Sequence, residues 1–209
     1  LGQRLGGMAL RAAASELGFG TAVPIAPDLT AGAGVLPTAK ELQSTGQLSV
    51  FSFGQGSFTA TPLQITAMMN TIAAGGTYRT PRFCCGVTDA DGTVTEKFQL
   101  PAPRTVCDAA TAKVLRSMLQ SVVEDGIGYA AKPTGGTAAG KTGTAQTGQF
   151  DAAGDELLNY WFSGFIPADD PQYTITVLQD GVLEPETSSA AIFAQIAAGL
   201  QVIEQPAPD

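Results

Sequence analysis

The chain has 209 residues and a net charge of −8, with 11 Lys and Arg residues against 19 Asp and Glu residues. This length is enough for one sizeable domain or two small ones. The hydrophobic content of 44% is ordinary for a globular protein and too high for a disordered one. The acidic balance argues against a nucleic-acid partner, because phosphate binding requires clustered basic residues. The absence of histidine excludes a Ser-His-Asp triad and most zinc sites. We expect neither a metal nor a cofactor.

The chain begins at Leu1 rather than at Met, and no apolar run approaches the roughly 20 residues needed to cross a bilayer. We therefore expect an excised part of a longer protein. Its three cysteines are Cys84, Cys85 and Cys107. An odd count with two adjacent residues indicates neither a disulfide framework nor a C-x-x-C metal site, so burial as small hydrophobic residues is predicted.

Apolar residues recur at helical spacing from Leu1 to Leu17, which predicts a helix that stops at Gly18. Residues 19–50 are rich in Gly, Pro, Ala and Thr and show little periodicity. They predict an ordered loop with short helical turns.

A second helix is predicted to begin at Thr61-Pro62-Leu63-Gln64. Thr61 can cap the N–H of Gln64, Pro62 occupies a position where no N–H is needed, and the Gln64 side chain can reach back to the cap. The helix is expected to run through Ile72 and end at Gly75-Gly76.

Residues 83–87 and 94–100 flank Asp91-Gly92, which predicts a hairpin. Asp108 is predicted to cap the next helix, which Gly126 ends. The residues predicted for its buried side are Val114, Leu115, Met118, Leu119, Val122 and Val123.

The pattern then changes to strands, which predicts an α+β fold in which an antiparallel sheet is flanked by helices. The candidate strands are residues 138–146, 158–166 and 173–179, with a turn at 167–171. A last helix is predicted from Ser188 or Ser189, with Ile192, Phe193, Ile196, Ala197 and Leu200 on one face. The expected organisation is a mainly helical and loop part at 1–137, three strands within 138–180 and a helix at 187–203.

The segment Gly140-Lys141-Thr142-Gly143-Thr144 fits two unrelated chemistries. With Gly135 it satisfies the phosphate-loop pattern G-x-x-x-x-G-K-[ST] of nucleotide hydrolases. That loop requires a buried strand before it and a helix beginning at its lysine. Residues 126–134 cannot form such a strand, and glycines and β-branched residues follow Thr142 where helix formers belong. The nucleotide-hydrolase interpretation is therefore a remote alternative.

As a strand, the same segment would present Lys141 and Gly143 on one face and Thr142 and Thr144 on the other. Gly143 would allow another backbone to approach and pair with the strand. One fixed positive charge and two hydroxyl donors suit a short peptide that ends in a free carboxylate. The alternative is a surface strand with a solvated lysine.

The surrounding motifs strengthen the strand interpretation. Residues 139–146 resemble the third active-site motif of penicillin-binding protein transpeptidases. Phe53-Gly54-Gln55-Gly56 with Thr61-Pro62-Leu63-Gln64 is similar to another segment of that family, and Trp161-Phe162-x-Gly164-Phe165 falls in its order. The resemblance covers nearly the whole chain and is closest to the class B enzymes of septum, wall-elongation or spore synthesis. It implies the penicillin-binding protein/β-lactamase-like fold, with a five-stranded antiparallel sheet between helical layers.

The resemblance also implies roles for residues of the candidate strand. Lys141 would face the cleft. Thr142 and Thr144 would hydrogen-bond the carboxylate of a D-Ala-D-Ala stem peptide or of a β-lactam, and this ligand would lie along Gly143. The N–H of Thr144 would supply half of an oxyanion hole. Trp161 and Phe162 are expected to pack in the core.

The family's nucleophile is the Ser of Ser-x-x-Lys, and its second motif is Ser-x-Asn. None of the ten serines of this chain has Lys three residues later or Asn two residues later. The chain is therefore expected to be the C-terminal part of a transpeptidase domain, incomplete at its N-terminus. Alone it would be inactive.

The implied partners are peptidoglycan stem peptides, β-lactam antibiotics and, through the parent protein, other cell-wall synthesis proteins. The implied location is the extracytoplasmic face of the bacterial cell membrane, with an N-terminal anchor outside this chain. A non-catalytic wall-peptide or β-lactam sensor of the same fold stays open. So does a β-lactamase, which would need a water-activating group that the sequence does not reveal.

Overall fold

The computed structural model of the chain describes residues 1–26 and 29–204. The chain divides into two compact units, Leu1–Thr71 with Thr77–Val106 and Ile72–Gly76 with Cys107–Asp209. The elements that begin in the first unit are α1 (Gly2–Leu5), α2 (Gly7–Glu16), β1 (Val23–Ala26), β2 (Leu29–Ala31), α3 (Thr45–Phe51), α4 (Pro62–Ala73), β3 (Thr77–Tyr78), β4 (Gly86–Thr88), β5 (Val94–Lys97) and β6 (Arg104–Thr105). Those of the second are α5 (Ala109–Glu124), β7 (Ala139–Phe150), β8 (Glu156–Ile166), β9 (Tyr173–Val182) and α6 (Ser189–Glu204). None of the helices described is long and apolar enough to cross a bilayer.

The helix predicted over residues 1–17 is instead two helices, because the chain turns at Gly6. Gly6 has a φ of 82°, in the left-handed region that interrupts a right-handed helix. α2 ends at Glu16, close to the predicted stop at Gly18. The prediction is thus correct for the end of this segment and wrong for its continuity.

The described part of residues 19–50 contains the predicted helical turns and also a pair of short strands that was not predicted. A short 3₁₀ turn spans Glu41–Gln43, and α3 follows it. β1 and β2 pair antiparallel, with Val23 opposite Ala31. Strands of four and three residues are too short to show an alternating pattern, so the sequence gives no signal for them.

The capping interaction predicted for α4 is present in both directions. The N–H of Gln64 donates to Thr61 Oγ1 at 3.2 Å, and the N–H of Thr61 donates to Gln64 Oε1 at 3.0 Å. The helix ends at Ala73, two residues before the predicted Gly75-Gly76.

Gln64 also joins distant parts of the first unit. Its side chain is buried, with 1% of its surface exposed. Its amide nitrogen lies 3.1, 3.3 and 2.8 Å from the carbonyl oxygens of Gly18, Thr21 and Ala33. One side chain therefore holds α4 to the loops on either side of β1 and β2, and no apolar residue could satisfy those carbonyl groups.

The hairpin predicted around Asp91-Gly92 is confirmed, with shorter arms. β4 and β5 pair antiparallel, and Asp89 Oδ1 accepts the N–H groups of Asp91 and Thr93 at 3.0 and 2.9 Å. The cysteines nearby do not follow the prediction. Cys84 and Cys85 are exposed and Cys107 is half-buried, so burial as small hydrophobic residues is wrong for the adjacent pair.

The second unit contains the three predicted strands, each slightly longer than predicted. They form one antiparallel sheet in the order β7-β8-β9. The predicted α+β class is confirmed. Lys141 lies inside β7, and no helix begins there. This contradicts the nucleotide-hydrolase alternative, which requires a helix that begins at that lysine.

Side chains cap both long helices of the second unit, as predicted. Asp108 Oδ1 accepts the N–H of Thr111 at 2.6 Å, and this hydrogen bond holds the pKa of Asp108 below its ordinary value. Ser188 Oγ accepts the N–H of Ala191 at 3.2 Å. The predicted buried faces are wrong in part, since Val114, Met118 and Ile196 are exposed.

The core of the second unit lies where β8 meets α6. The rings of Phe162 and Phe193 have centroids 4.8 Å apart, and neither ring is exposed. The other buried members are Val123, Ala131, Ala138, Ile166, Val177, Ala190 and Ala197. Phe162 packs in the core as predicted, whereas Trp161 is only half-buried.

We predict that Gln64→Leu lowers the free energy of unfolding by about 3 kcal/mol, because it leaves buried carbonyl groups without a donor. Gln99 is exposed, so Gln99→Leu is the matched control and should change stability by less than about 0.5 kcal/mol. Chemical denaturation measures both. Equal effects of the two substitutions would contradict the linking role of Gln64.

Candidate active site

The candidate site is built on β7, which lies at one edge of the described sheet. β7 pairs with β8 alone, and this pairing places Lys141 opposite Ser163, Gly143 opposite Trp161 and Thr144 opposite Tyr160. Lys141 and Thr144 are exposed, whereas Thr142 and Gly143 are half-buried. An edge strand of this kind can accept an extended peptide alongside it.

The lysine side chain runs along the strand rather than away from it. Lys141 Nζ lies 2.9 Å from the carbonyl oxygen of Thr142 and 3.2 Å from Thr142 Oγ1. Alternation alone would separate these two side chains onto opposite faces of the sheet. The flexible lysine stem instead brings the ammonium group to the threonine hydroxyl, so a cation and an alcohol lie side by side at the edge.

No carboxylate pairs with the ammonium group of Lys141 among residues 1–26 and 29–200, whose side chains the structure describes. The one ion pair within these residues joins Arg104 to Glu16, at 3.4 Å. In a chain with a net charge of −8, an exposed lysine without an ion pair is suited to an anionic ligand.

Ser163 stands opposite Lys141 in the register, yet its environment does not fit that of a nucleophile. Its side chain is buried, with 4% exposure, and its Oγ lies 2.7 Å from Thr176 Oγ1. A nucleophilic serine needs access to substrate and a proton acceptor. Ser163 therefore belongs to the sheet rather than to the chemistry of the site.

Two opposed glycines allow the candidate strand to lie close to β8, a pairing for which the sequence alone carries no signal. Gly140 and Gly164 face each other in the register. A Cβ at Gly140 would lie 2.6 Å from Phe162 Cζ, and one at Gly164 would lie 2.4 Å from the carbonyl oxygen of Ala139. Side chains at either position would separate the strands or displace the core phenylalanine.

A glutamate of β8 binds the C-terminal part of β7 through two hydrogen bonds. Glu156 Oε2 accepts the side-chain N–H of Gln146 at 2.9 Å, and Glu156 Oε1 accepts the N–H of Gly148 at 3.2 Å. The β7–β8 hairpin is thus held at two places: near its turn by Glu156, and at the paired residues Gly140 and Gly164.

Comparison with known proteins identifies the family of this chain. The family model for the penicillin binding protein transpeptidase domain matches residues 1–198. The chain therefore belongs to the penicillin-binding protein transpeptidase family, and its fold is the penicillin-binding protein/β-lactamase-like fold. The relatives and structures that it matches place it with the class B enzymes.

Penicillin-binding protein PbpB of Mycolicibacterium smegmatis is 37% identical over 183 residues, which are 80% of this chain and 28% of that protein. Stage V sporulation protein D of Bacillus subtilis is 35% identical over 182 residues, or 86% of this chain and 28% of that protein. The crystal structure of penicillin-binding protein 3 from Mycobacterium tuberculosis in complex with aztreonam superposes with a TM-score of 0.82 at 31% identity. That match covers 97% of this chain and 47% of the other. The chain spans little more than a quarter of the length of these two curated relatives.

We predict that Gly164→Ala destabilises the protein by about 2 kcal/mol or more, because the added methyl group meets backbone atoms of β7. Gly199 offers a matched control. It lies inside α6 with open space where a Cβ would stand, so Gly199→Ala should stabilise the protein by about 0.5 kcal/mol. Denaturant unfolding compares them. A smaller loss for Gly164→Ala than for ordinary surface substitutions would contradict the proposed close approach.

Proposed function

We propose that this chain is the substrate-carboxylate part of a peptidoglycan D,D-transpeptidase. The observation that carries the proposal is the ammonium group of Lys141 beside the Thr142 hydroxyl on an edge strand, without a neutralising carboxylate in the described residues. A cation and adjacent alcohols form charge-assisted hydrogen bonds to an anion such as a free carboxylate. Thr144, two residues along the same strand, adds a second hydroxyl and a backbone N–H.

In the proposed reaction, a stem peptide ending in D-Ala-D-Ala lies along β7 with its terminal carboxylate at Lys141, Thr142 and Thr144. Gly143, without a side chain, lets the peptide backbone approach the strand. A serine hydroxyl from residues outside this chain attacks the carbonyl carbon of the penultimate D-Ala. The serine loses its proton to a base, and the N–H of Thr144 stabilises the negative charge on the carbonyl oxygen.

The intermediate then breaks the bond to the terminal D-Ala, which leaves as an amine after receiving a proton. The amine of a neighbouring stem peptide attacks the serine ester, forms the new amide and returns the hydroxyl to the serine. A β-lactam would follow the first step only, with its carboxylate in the place of the D-Ala carboxylate. The matched structure with aztreonam supports β-lactam binding as part of the proposal.

The proposed setting follows from the same substrate. Peptidoglycan lies outside the cytoplasm, so we place the whole protein on the extracytoplasmic face of the bacterial cell membrane, anchored by a segment outside this chain. Other cell-wall synthesis proteins are proposed partners of that whole protein.

We predict that Lys141→Met or Thr144→Val slows acylation of the full-length protein by fluorescent penicillin about 30-fold to 100-fold. Each removes a charge-assisted hydrogen bond to the carboxylate, worth about 2 to 3 kcal/mol. Lys97 is an exposed lysine of β5, so Lys97→Met is the matched control and should leave the rate unchanged. Equal rates for all three variants would remove Lys141 and Thr144 from the site.

We also predict that the 209-residue chain alone forms no covalent adduct with fluorescent penicillin, because none of its serines lies in Ser-x-x-Lys. The full-length protein should form one. Gel fluorescence after denaturation checks both samples. Stable labelling of the isolated chain would reveal a nucleophile within it, and a full-length protein that binds penicillin without acylation would be the non-catalytic sensor.

A further inference from the structure

The adjacent cysteines of the first unit are a feature that the transpeptidase proposal does not use. Cys84 and Cys85 are both free thiols with exposed side chains. A reduced cysteine is among the residue types most often buried, where it behaves as a small hydrophobic residue. Two neighbouring exposed thiols therefore need a chemical explanation rather than a packing one.

Backbone hydrogen bonds anchor the segment on both sides of the pair. The N–H of Phe83 donates to the carbonyl oxygen of Ile25 at 2.9 Å, and the N–H of Phe98 donates to that of Cys85 at 3.1 Å. The chain bends at Phe83 and Cys85, and β4 begins only at Gly86, so the pair lies outside the regular strand. The local fold is thus held by main-chain atoms, and the sulfur atoms are left accessible to reagents.

The charges around the pair favour anionic reagents. Arg82 lies two residues before Cys84, and Lys97 is paired in the hairpin with Gly86, the residue after Cys85. Both basic side chains are exposed. These two basic residues beside the pair would favour an anionic disulfide such as glutathione disulfide.

We propose that Cys84 and Cys85 form a dithiol modification site whose substrates are low-molecular-weight or protein disulfides. One thiolate attacks a sulfur of the disulfide R–S–S–R, forms a mixed disulfide and releases RS⁻. The neighbouring thiolate then attacks the cysteine sulfur of that mixed disulfide, closes a Cys84–Cys85 disulfide and releases the second RS⁻. The two cysteines lose two electrons and two protons, and the reagent is reduced to two thiols.

The product should be reversible. Consecutive Cα atoms are about 3.8 Å apart across a trans peptide, closer than the roughly 4.4–6.8 Å usual for disulfides. Strained, exposed disulfides are the readily reduced ones. This inference rests on the proposed function in one respect. The proposed function places the whole protein outside the cytoplasm, where disulfide reagents persist.

The positions of basic residues make the test direct. Trypsin cleavage after Arg82 and Lys97 places both cysteines on the peptide Phe83–Lys97, while cleavage after Arg104 and Lys113 places Cys107 on a separate one. The full-length protein is treated with glutathione disulfide, alkylated and digested. We expect the Phe83–Lys97 peptide to have lost two hydrogen masses, and to carry two alkyl groups when reductant is added first.

Variants separate the two steps. Cys85→Ser should stop at a mixed disulfide with glutathione on Cys84, and Cys107→Ser should behave as the unmodified protein. Without oxidant, the pair should be alkylated about tenfold faster than the half-buried Cys107. The proposal is overturned if the pair stays fully alkylatable after glutathione disulfide treatment, or if the two tryptic peptides become cross-linked.

Penicillin labelling of the same sample keeps the two proposals apart. Closure of the pair in a protein that penicillin does not acylate would leave this site standing and remove the transpeptidase. Acylation without closure would do the reverse.

Discussion

The close approach of β7 and β8 at Gly140 and Gly164 is the constraint on which the candidate site depends. Without side chains at these opposed positions, the two backbones pair directly above the ring of Phe162. Phe162 is fully buried against Phe193 of α6, and burial of one such ring contributes about 2 to 3 kcal/mol. β7 is therefore anchored to the core at Gly140, the residue that precedes Lys141.

Contacts on two sides restrain the exposed candidate strand. One edge of β7 is occupied by β8, and its far end is held by Glu156 through Gln146 and Gly148. Motion of the strand would have to break these interactions together. Under the proposed function, a carboxylate at Lys141 and Thr142 would meet groups that are already in position, so less of the binding free energy would be spent on ordering them.

The sequence predicted the interactions that act over three or four residues. Thr61 with Gln64, Asp108 with Thr111 and Ser188 with Ala191 are all caps that are visible in the local letters. The alternating strands and their order were equally accessible, and they led to the correct fold class. Lys141, Thr142 and Thr144 came from a motif, and their roles stay predictions.

What the sequence could not supply is information about what lies opposite each residue. Val114 and Met118 follow the apolar stripe of α5 as well as Val123 does, yet only Val123 faces the core. Cysteine is a residue type that is usually buried, yet Cys84 and Cys85 are exposed. Alternation along a strand places the Lys141 and Thr142 side chains on opposite faces, so the sequence pattern does not predict the contact of Lys141 Nζ with Thr142.

The two meanings of Gly-Lys-Thr illustrate the same limit at a single residue. In a phosphate loop, a glycine at position 140 would serve the close approach of backbone amides to a ligand. Here Gly140 lies in a strand, and the space where its Cβ would stand is taken by Phe162, a residue 22 positions later in the chain. The identical letters are required in both cases, for different physical reasons. Two observations favour the strand over the phosphate loop. The β-branched residues and glycines after Thr142 are poor helix formers, and the partner strand β8 buries the ring of Phe162 against Gly140.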